Sequence, residues 1–433
     1  MKRKIAVLGD LIIDKFLYFE STKLSPEGPG PVVRKLNDNI SAGGSGNVAI
    51  SLINLGFEVD LFYLKPSKPN LYFSDLLNQI FKSHKIKLCP CKSNLTNPIP
   101  IKTRYYVDNR QFMREDTEEK DIENQTFLIN KLEELDLQNY SAIVVSDYQK
   151  GFFSDELLQF LINKCNERLI PIFIDTKNKN NSSIKNAFCL KINESEFNIL
   201  FKNFRISKTT NFDLVLENVC SARKSKNIFN LIVTRGSLGS VSSNPNENTY
   251  SPAKKVEVND ITGAGDAFLA GIIYSFLKRN YGNKNKKFVD NQDLKLGNLA
   301  SSSVILYSGT VPISEKFVSE LKQSSEIKIG FTNGCFDLLH EGHIEILKKA
   351  KESCDYLIVG LNSDISVKKL KGESRPVKNQ ESRKMVLESI KYVDEVIIFE
   401  EETPLELIKK INPFVLIKGA DYSEDEIVGG SYV

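Results

Sequence analysis

The sequence predicts an α/β protein in two parts: a doubly wound sheet that carries a β lid, followed by a smaller Rossmann-like domain. Three observations carry that prediction. Short apolar or β-branched runs alternate with helical patterns over most of the chain, as a parallel sheet with helices on both faces requires. Two extended stretches, Pro31–Leu36 and Pro100–Val107, break that rhythm. A fresh strand–turn–helix unit then begins at Ile327.

In chain order, Lys4–Leu8, Glu58–Leu64, Ala142–Val145, Pro171–Ile174 and Asn230–Val233 read as strands, being short and apolar. Ser45–Leu55, Asp155–Cys165, Gly265–Leu277 and Asp293–Leu306 read as helices. Pro31–Leu36, Pro100–Val107 and the following Gln111–Arg114 read as antiparallel segments of a flap or lid rather than crossover units. Pro312–Ser325 predicts a helix ending in the polar run Lys322–Glu326. The domain boundary is placed there, with a first domain over 1–320 and a second over 327–433. The second repeats the rhythm: strand Lys328–Thr332, helix Ile344–Glu352, strand Tyr356–Leu361, helix Glu381–Ile390, strand Glu395–Phe399, helix Pro404–Ile411 and strand Phe414–Ile417. The Asn/Lys-rich pieces Lys177–Asn181 and Asn283–Lys287 are expected as surface loops.

Composition bounds the function. A chain of 433 residues accommodates about two or three domains. Hydrophobic residues at 41% and charged ones at 26% exclude wholesale disorder. Lys+Arg at 58 against Asp+Glu at 55 leaves a net charge of +3, so bulk charge gives no argument for a nucleic-acid partner. The apolar run after Lys4 is too short for a signal peptide and meets Asp10 at once. No apolar stretch reaches membrane-spanning length, so no membrane partner is expected. Seven scattered Cys argue against a disulfide framework, and Cys89 and Cys91 lack the neighbours of a zinc site. A cytoplasmic protein is expected. The chain has three His, so a place where two fall together carries information.

The strongest signal before residue 320 is Asp260-Ile-Thr-Gly-Ala-Gly-Asp266, followed by an apolar helix. Gly263, Ala264 and Gly265 let successive N–H groups converge at the positive end of that helix, where an anion binds. The same donors can stabilise a phosphoryl group in transfer. Asp266, in the first turn, is placed to take the proton of an attacking hydroxyl. Gly43-Gly44-Ser45-Gly46-Asn47 precedes another helix and lets its backbone approach a ligand. Asp10 and Asp14 follow the first strand, where ligands bind in open α/β sheets.

These strings, in this order, resemble the ribokinase (PfkB-type) sugar kinases. Asn193-Glu194-Ser195-Glu196 matches their Asn-x-x-Glu element, and Val233-Thr234-Arg235-Gly236 resembles the strand and turn beside the nucleotide. The resemblance implies a ribokinase-like fold, Asp266 as base and Gly263–Gly265 as anion hole. It implies Asn193 and Glu196 placing Mg²⁺ and the phosphates of ATP, with Glu194, Ser195, Thr234 and Gly236 beside the nucleotide. It also implies Asp14, Gly43, Gly44 and Asn47 at the sugar. Ser25–Val33, Lys102-Thr103-Arg104, Ser146–Gly151 and Asp175-Thr176-Lys177 resemble the heptose 7-phosphate kinases of lipopolysaccharide synthesis. A sugar already carrying a phosphate needs cations, and Lys102 and Arg104 on the lid are candidates, solvated strand charges being the alternative. Thr176 stands where Pro is usual, Lys191-Ile192 where Thr-Pro is usual, and Ser45-Gly46 replaces two small residues. Lys191 is expected to alter the nucleotide pocket. Association through the lid strands, as a homodimer, is a further implication.

Two of the three His fall in Asn333-Gly334-Cys335-Phe336-Asp337-Leu338-Leu339-His340-Glu341-Gly342-His343, after a strand and opening a helix. Two imidazoles at a helix N-terminus can donate to phosphate oxygens, and Gly342 admits close approach. A metal is the alternative, but no third Cys or His stands at suitable spacing. The string resembles the His-x-Gly-His signature of the cytidylyltransferase-like nucleotidyltransferases. It implies His340 and His343 stabilising the triphosphate, Thr332, Asn333 and Phe336 shaping the nucleotide cleft, and Asp337 supporting the turn. Asn362-Ser363-Asp364, Lys369–Gly372, Arg375-Pro376-Val377, Glu381-Ser382-Arg383 and Ile417–Tyr422 resemble the heptose 1-phosphate adenylyltransferase branch, with Lys371, Arg375 and Arg383 as candidate phosphate cations. Family members continue into one more strand and a Ser/Thr-rich nucleotide-binding helix, whereas this sequence stops at Val433. The second domain is therefore expected to be C-terminally incomplete.

The expected function is a kinase that phosphorylates D-glycero-β-D-manno-heptose 7-phosphate at O1 with ATP and Mg²⁺. An adenylyltransferase would then make ADP-heptose from the 1-phosphate. The alternatives are a kinase with an inactive second domain, a related sugar kinase fused to a cytidylyltransferase, and a non-enzymatic sugar or nucleotide sensor.

Overall fold

The computed structural model describes residues 4–68, 70–96, 98–119, 126–133, 135–180, 182–280, 288–323, 328–354, 356–419, 427–430 and 432. The chain begins with β1 (Lys4–Gly9) and continues into two long strands, β2 (Leu11–Leu24) and β3 (Pro31–Gly44), before α1 (Ser45–Asn54). Then come β4 (Glu58–Leu64), α2 (Leu71–Phe81), β5 (Ile86–Cys91), β6 (Ile101–Val107), β7 (Arg110–Thr117) and α3 (Thr126–Glu133). Next are β8 (Ala142–Asp147), α4 (Asp155–Glu167), β9 (Ile172–Thr176), β10 (Cys189–Asn193), α5 (Glu194–Leu200) and α6 (Phe212–Ser225). They lead to β11 (Asn230–Thr234), β12 (Ser240–Ser243), β13 (Asn248–Ser251), α7 (Ala264–Arg279), α8 (Asn291–Val304) and α9 (Glu315–Gln323).

Nine of these strands form one sheet in the order β13-β12-β11-β10-β9-β8-β1-β4-β5. It is parallel from β11 to β5 and closes with two antiparallel edge strands. Alternation divides each strand between two cores. Ile5 and Val7 face one apolar cluster with Val48 of α1 and Phe268 of α7, while Ala6 and Leu8 face the other with Leu158 of α4 and Val215 of α6. The doubly wound expectation is met, and all the loops after the parallel strands emerge at one end.

The lid is a separate sheet in the order β3-β2-β6-β7. The extended segments expected at Pro31–Leu36, Pro100–Val107 and Gln111–Arg114 all belong to it, but β2 and the second half of β3 were not foreseen. β2 runs from a buried half at Leu11–Asp14 to an exposed half at Ser21–Leu24, so no single period marks it. The short strands β10, β12 and β13 also escaped prediction, as did α2, α3, α5 and α6. The whole of the expected loop Asn283–Lys287 and the end of the helix expected over Pro312–Ser325 lie outside the described residues.

The second sheet has the order β16-β15-β14-β17. It is built from β14 (Ile329–Gly334), α10 (Glu341–Glu352), β15 (Tyr356–Asn362), α11 (Asp364–Lys371), α12 (Gln380–Glu388), β16 (Glu395–Phe399), α13 (Leu405–Ile411) and β17 (Val415–Leu416). All its pairings are parallel. α10 starts at Glu341 rather than Ile344, which puts His343 inside the helix and His340 at its N-cap. One face of this sheet joins the core of the first: Ile358 and Leu407 share a cluster with Val241 and Tyr250. At that contact the Glu395 carboxylate accepts hydrogen bonds from the hydroxyls of Tyr250 and Tyr356. Burial pushes the Glu395 carboxyl up to about 7, against the pull of those hydroxyls. Asp394 accepts Lys351 (2.6 Å) and pairs with Lys255 across the contact (3.2 Å).

Candidate active sites

The first site forms where β1, β8, β9, β10 and β11 end. Gly263 caps α7 with a φ of 81°, a conformation that glycine adopts without strain. A side chain there would also run into the Asn47 amide, 2.9 Å from an ideal Cβ. Ala264 donates its N–H to the carbonyl of Ile261 (3.2 Å). The Ala264 N–H is therefore engaged within the turn, which leaves the N–H groups of Gly263 and Gly265 as the candidate anion donors. Asp266 follows in the first turn, 2% exposed. Its Oδ2 accepts the Asn47 amide (2.9 Å) and its Oδ1 accepts the Tyr148 hydroxyl (2.9 Å). Burial raises its carboxyl to about 6, with Asp175 adding to the rise and Asn47, Tyr148 and Lys191 opposing it. A carboxylate so poised can accept a proton near neutral pH.

Asp14 faces this site from β2. Its Oδ1 accepts Arg104 (2.6 Å) and its Oδ2 accepts the Thr310 hydroxyl (2.7 Å). Arg104 is buried over the Phe16 ring, so of the two lid cations it is the one already paired. Lys102 is half-buried, 5.9 Å above the Tyr148 ring, and Lys177 lies 3.9 Å from the centre of the same ring. Burial lowers the Lys102 ammonium, and the positive Lys177 and Lys150 lower it further, against Asp14 and Asp116. Gly43 and Gly44 end β3, and a Cβ on Gly43 would meet Asp14 Oδ2 at 2.3 Å. Asn47 thus touches the proposed base as well as lying on the expected sugar side.

Asn193 caps α5. Its Oδ1 accepts the Glu196 N–H (2.9 Å) and its N–H donates to Glu196 Oε2 (2.8 Å). Glu194 accepts Arg235 (3.0 Å), and Ser195 is exposed. Thr234 sits opposite Asn193 in the sheet register, with Gly236 opening the next turn at φ 58°. Tyr148 and Thr310 are contacts that sequence reasoning assigned no role, and Lys191, expected only to alter the nucleotide pocket, pairs with Asp175 beside Gly265. Tyr148 stood inside a quoted motif, but nothing local marks it as the partner of a residue 118 positions away.

The second site is a cavity of about 470 Å³ at the N-terminus of α10, lined by Phe336, Asp337, His340, His343, Lys371 and Arg375 among others. The two imidazole centres lie 3.9 Å apart. The backbone N–H of His340 donates to His343 Nδ1 (3.4 Å), which places the proton of a neutral His343 on Nε2. Burial lowers the His343 imidazole, and His340 and Lys371 lower it further. Asp337 accepts Arg375 (2.8 Å) and the N–H groups of Val377 (2.7 Å) and Lys378 (3.2 Å), so it does support the turn. Lys371 and Arg375 reach the cavity. Arg383 does not line it: buried, it donates to the carbonyls of Cys335 (2.6 Å) and Asn362 (2.9 Å) and to Asp364 (2.6 Å), fastening two loops. Thr332 is buried in β14, and the carbonyl of Asn333 accepts Lys418 (3.3 Å). Ala420, Asp421 and Tyr422 lie outside the described residues.

Residues 2–316 match the family described as pfkB family carbohydrate kinase, and residues 331–429 match the family described as cytidylyltransferase-like. A bifunctional protein HldE of Campylobacter curvus is 35% identical over 463 aligned positions, covering 100% of this chain and 94% of that protein. The bifunctional protein HldE of Helicobacter pylori strain P12 is 34% identical, covering 99% and 94%. Among solved structures, Escherichia coli phosphofructokinase-2 in complex with fructose-6-phosphate superposes with a TM-score of 0.56 at 17% identity, over 74% of this chain and 98% of that one. Arabidopsis thaliana ribokinase complexed with ribose and ATP gives 0.55 at 15%, over 75% and 100%. These two likenesses concern the fold. No described helix is long and apolar enough to cross a membrane.

Proposed function

This chain belongs to the HldE family of bifunctional proteins, a sugar kinase joined to a nucleotidyltransferase, and on that premise we propose how its two sites divide the work. The first moves the γ-phosphoryl of ATP to O1 of D-glycero-β-D-manno-heptose 7-phosphate. The second joins the 1-phosphate, freed of its 7-phosphate by a phosphatase, to AMP. The observation that carries the first reading is the buried Asp266 carboxylate beneath the Gly263–Gly265 turn, held by Asn47 and Tyr148. Asp266 takes the proton of the O1 hydroxyl as that oxygen bonds to the γ-phosphorus and ADP departs. The N–H groups beside Ala264 receive the phosphoryl charge. Asp14 and the glycine backbone of Gly43–Gly44 hold the sugar. Lys102, with Lys177 nearby, meets the 7-phosphate, while Arg104 stays with Asp14.

The family uses ATP with a divalent cation, and Mg²⁺ fits the donors here. Among the described residues no three His, Cys, Asp or Glu gather to cage a metal. A cation carried mainly by phosphates and water needs only one or two carboxylates, and Glu196 beside Asn193 can supply one. When bound, the cation neutralises phosphate charge. In the second site a phosphate oxygen of heptose 1-phosphate attacks the α-phosphorus of ATP. Pyrophosphate leaves while His340 and His343 donate to its oxygens. The chain acts in the cytoplasm, where ATP is available, and as a homodimer through the exposed lid sheet.

The test is turnover by the full chain. With ATP and heptose 7-phosphate it is expected to release ADP. With ATP and heptose 1-phosphate it is expected to release pyrophosphate. Preference for another sugar phosphate, or for CTP, would overturn the substrate assignment. Absence of pyrophosphate release would reduce the chain to a kinase.

A further inference from the structure

The anion hole of the first site contains a cation that the sequence resemblance does not anticipate. Lys191 is the third residue of β10, paired in register with Asp175 of β9 on one side and Ile232 of β11 on the other. Its side chain is 5% exposed. Its Nζ donates to Asp175 Oδ2 (2.5 Å) and stands 3.0 Å from where a Cβ on Gly265 would sit. The ammonium therefore occupies the space against the Gly265 backbone, in the turn whose N–H groups are the proposed phosphoryl donors. An ammonium has three protons to donate, and the Asp175 bond uses one. A Cβ at 265 would press on it closely enough that the ammonium would have to give way by a few tenths of an ångström.

Burial works against the Lys191 charge, but the carboxylates of Asp175, Glu196 and Asp266 outweigh it and hold the ammonium charged. We propose that Lys191 is a catalytic residue of the kinase: its ammonium, steadied by Asp175, donates to an oxygen of the γ-phosphoryl as it passes from ADP to the sugar. The bond between the γ-phosphorus and the ADP oxygen breaks and the bond to the sugar oxygen forms. The hydroxyl proton goes to Asp266, and Lys191 keeps its own protons throughout. The ammonium strengthens a hole that has lost the Ala264 N–H to Ile261. This inference rests on the kinase reading of the site.

Removing Lys191 alone would strand a buried Asp175, so the test is made in the D175N background of the full chain. D175N and D175N/K191M are compared on whichever sugar phosphate the wild-type chain phosphorylates. A wrong sugar and a wrong role for Lys191 then give different results. The kinase kcat of the double variant is expected to fall about 100-fold below that of D175N, the loss typical of one oxyanion donor. The KM for the sugar is expected to stay within about twofold, because the interaction forms in the transition state. Adenylyl transfer by the same chain serves as the folding control and is expected to match D175N. Kinase turnover of the double variant within threefold of D175N, or a loss confined to the sugar KM, would overturn the proposal.

Discussion

Asp266→Asn is expected to lower the kinase kcat by about 10³-fold, within the range for removing a positioned general base, while the second activity persists. The change keeps shape and the Gly263 turn but removes the proton acceptor. Its effect on stability has the opposite sign. In the fold the Asp266 carboxyl titrates at about 6 against an ordinary 3.8, so the folded chain holds the proton more tightly. Stability linked to that proton is fully present below about pH 3.8 and is lost as the pH rises through about 6. Above that the buried charge costs on the order of 3 kcal/mol, from roughly two units at about 1.4 kcal/mol each. Asn avoids the cost, so the variant is expected to melt higher than the wild type at pH 8 and to converge with it near pH 4. In the wild type, kinase kcat is expected to fall tenfold per unit below about pH 6, as the base is protonated. Retained turnover in the Asn variant, or a flat profile between pH 5 and 7, would remove Asp266 from the role.

The contrast between what was legible and what was not follows distance along the chain. The glycine turn at 263–265 and the His340–His343 string could be read directly because a turn, a helix start and a phosphate-binding end are local events. The partners of those groups are not local. Tyr148 reaches Asp266 across 118 positions and Thr310 reaches Asp14 across 296. Arg104 and Arg383 looked like free phosphate cations because a sequence does not show ion pairs. The fold gives Arg104 to Asp14 and Arg383 to Asp364 and three carbonyls. Lys191 could be noted as a departure, but its place against Gly265 depends on β10 lying beside β9, and β10 itself was missed. The four-residue strands β12 and β13 are too short to show a period, and they carry Tyr250 into the contact with the second sheet.

His343→Ala is expected to lower adenylyl transfer by about 10²-fold, the loss of one donor to developing phosphate charge, with the kinase as internal control. The pair acts as a unit because the two rings lie 3.9 Å apart and line the same cavity, with Phe336 beside them; the bond to His343 Nδ1 comes from the backbone N–H of residue 340 and does not depend on that side chain. Removing His340 as well is therefore expected to cost less than the product of the single losses. The protonation state can be separated from the contact. Burial, His340 and Lys371 all lower the His343 pKa from 6.5, which leaves it neutral at pH 7 and donating through Nε2. A neutral donor predicts that adenylyl transfer does not decline between pH 6.5 and 8. If the imidazolium were the active form, the rate would fall tenfold per unit over that window. Such a fall in the wild type, absent from His343→Ala, would show that His343 works as a cation and that the lowered pKa misidentifies its form. Equal loss of kinase turnover in His343→Ala would instead mean that the substitution unfolds the shared core, since Ile358 of the second sheet packs in the same apolar cluster as Val241 of the first.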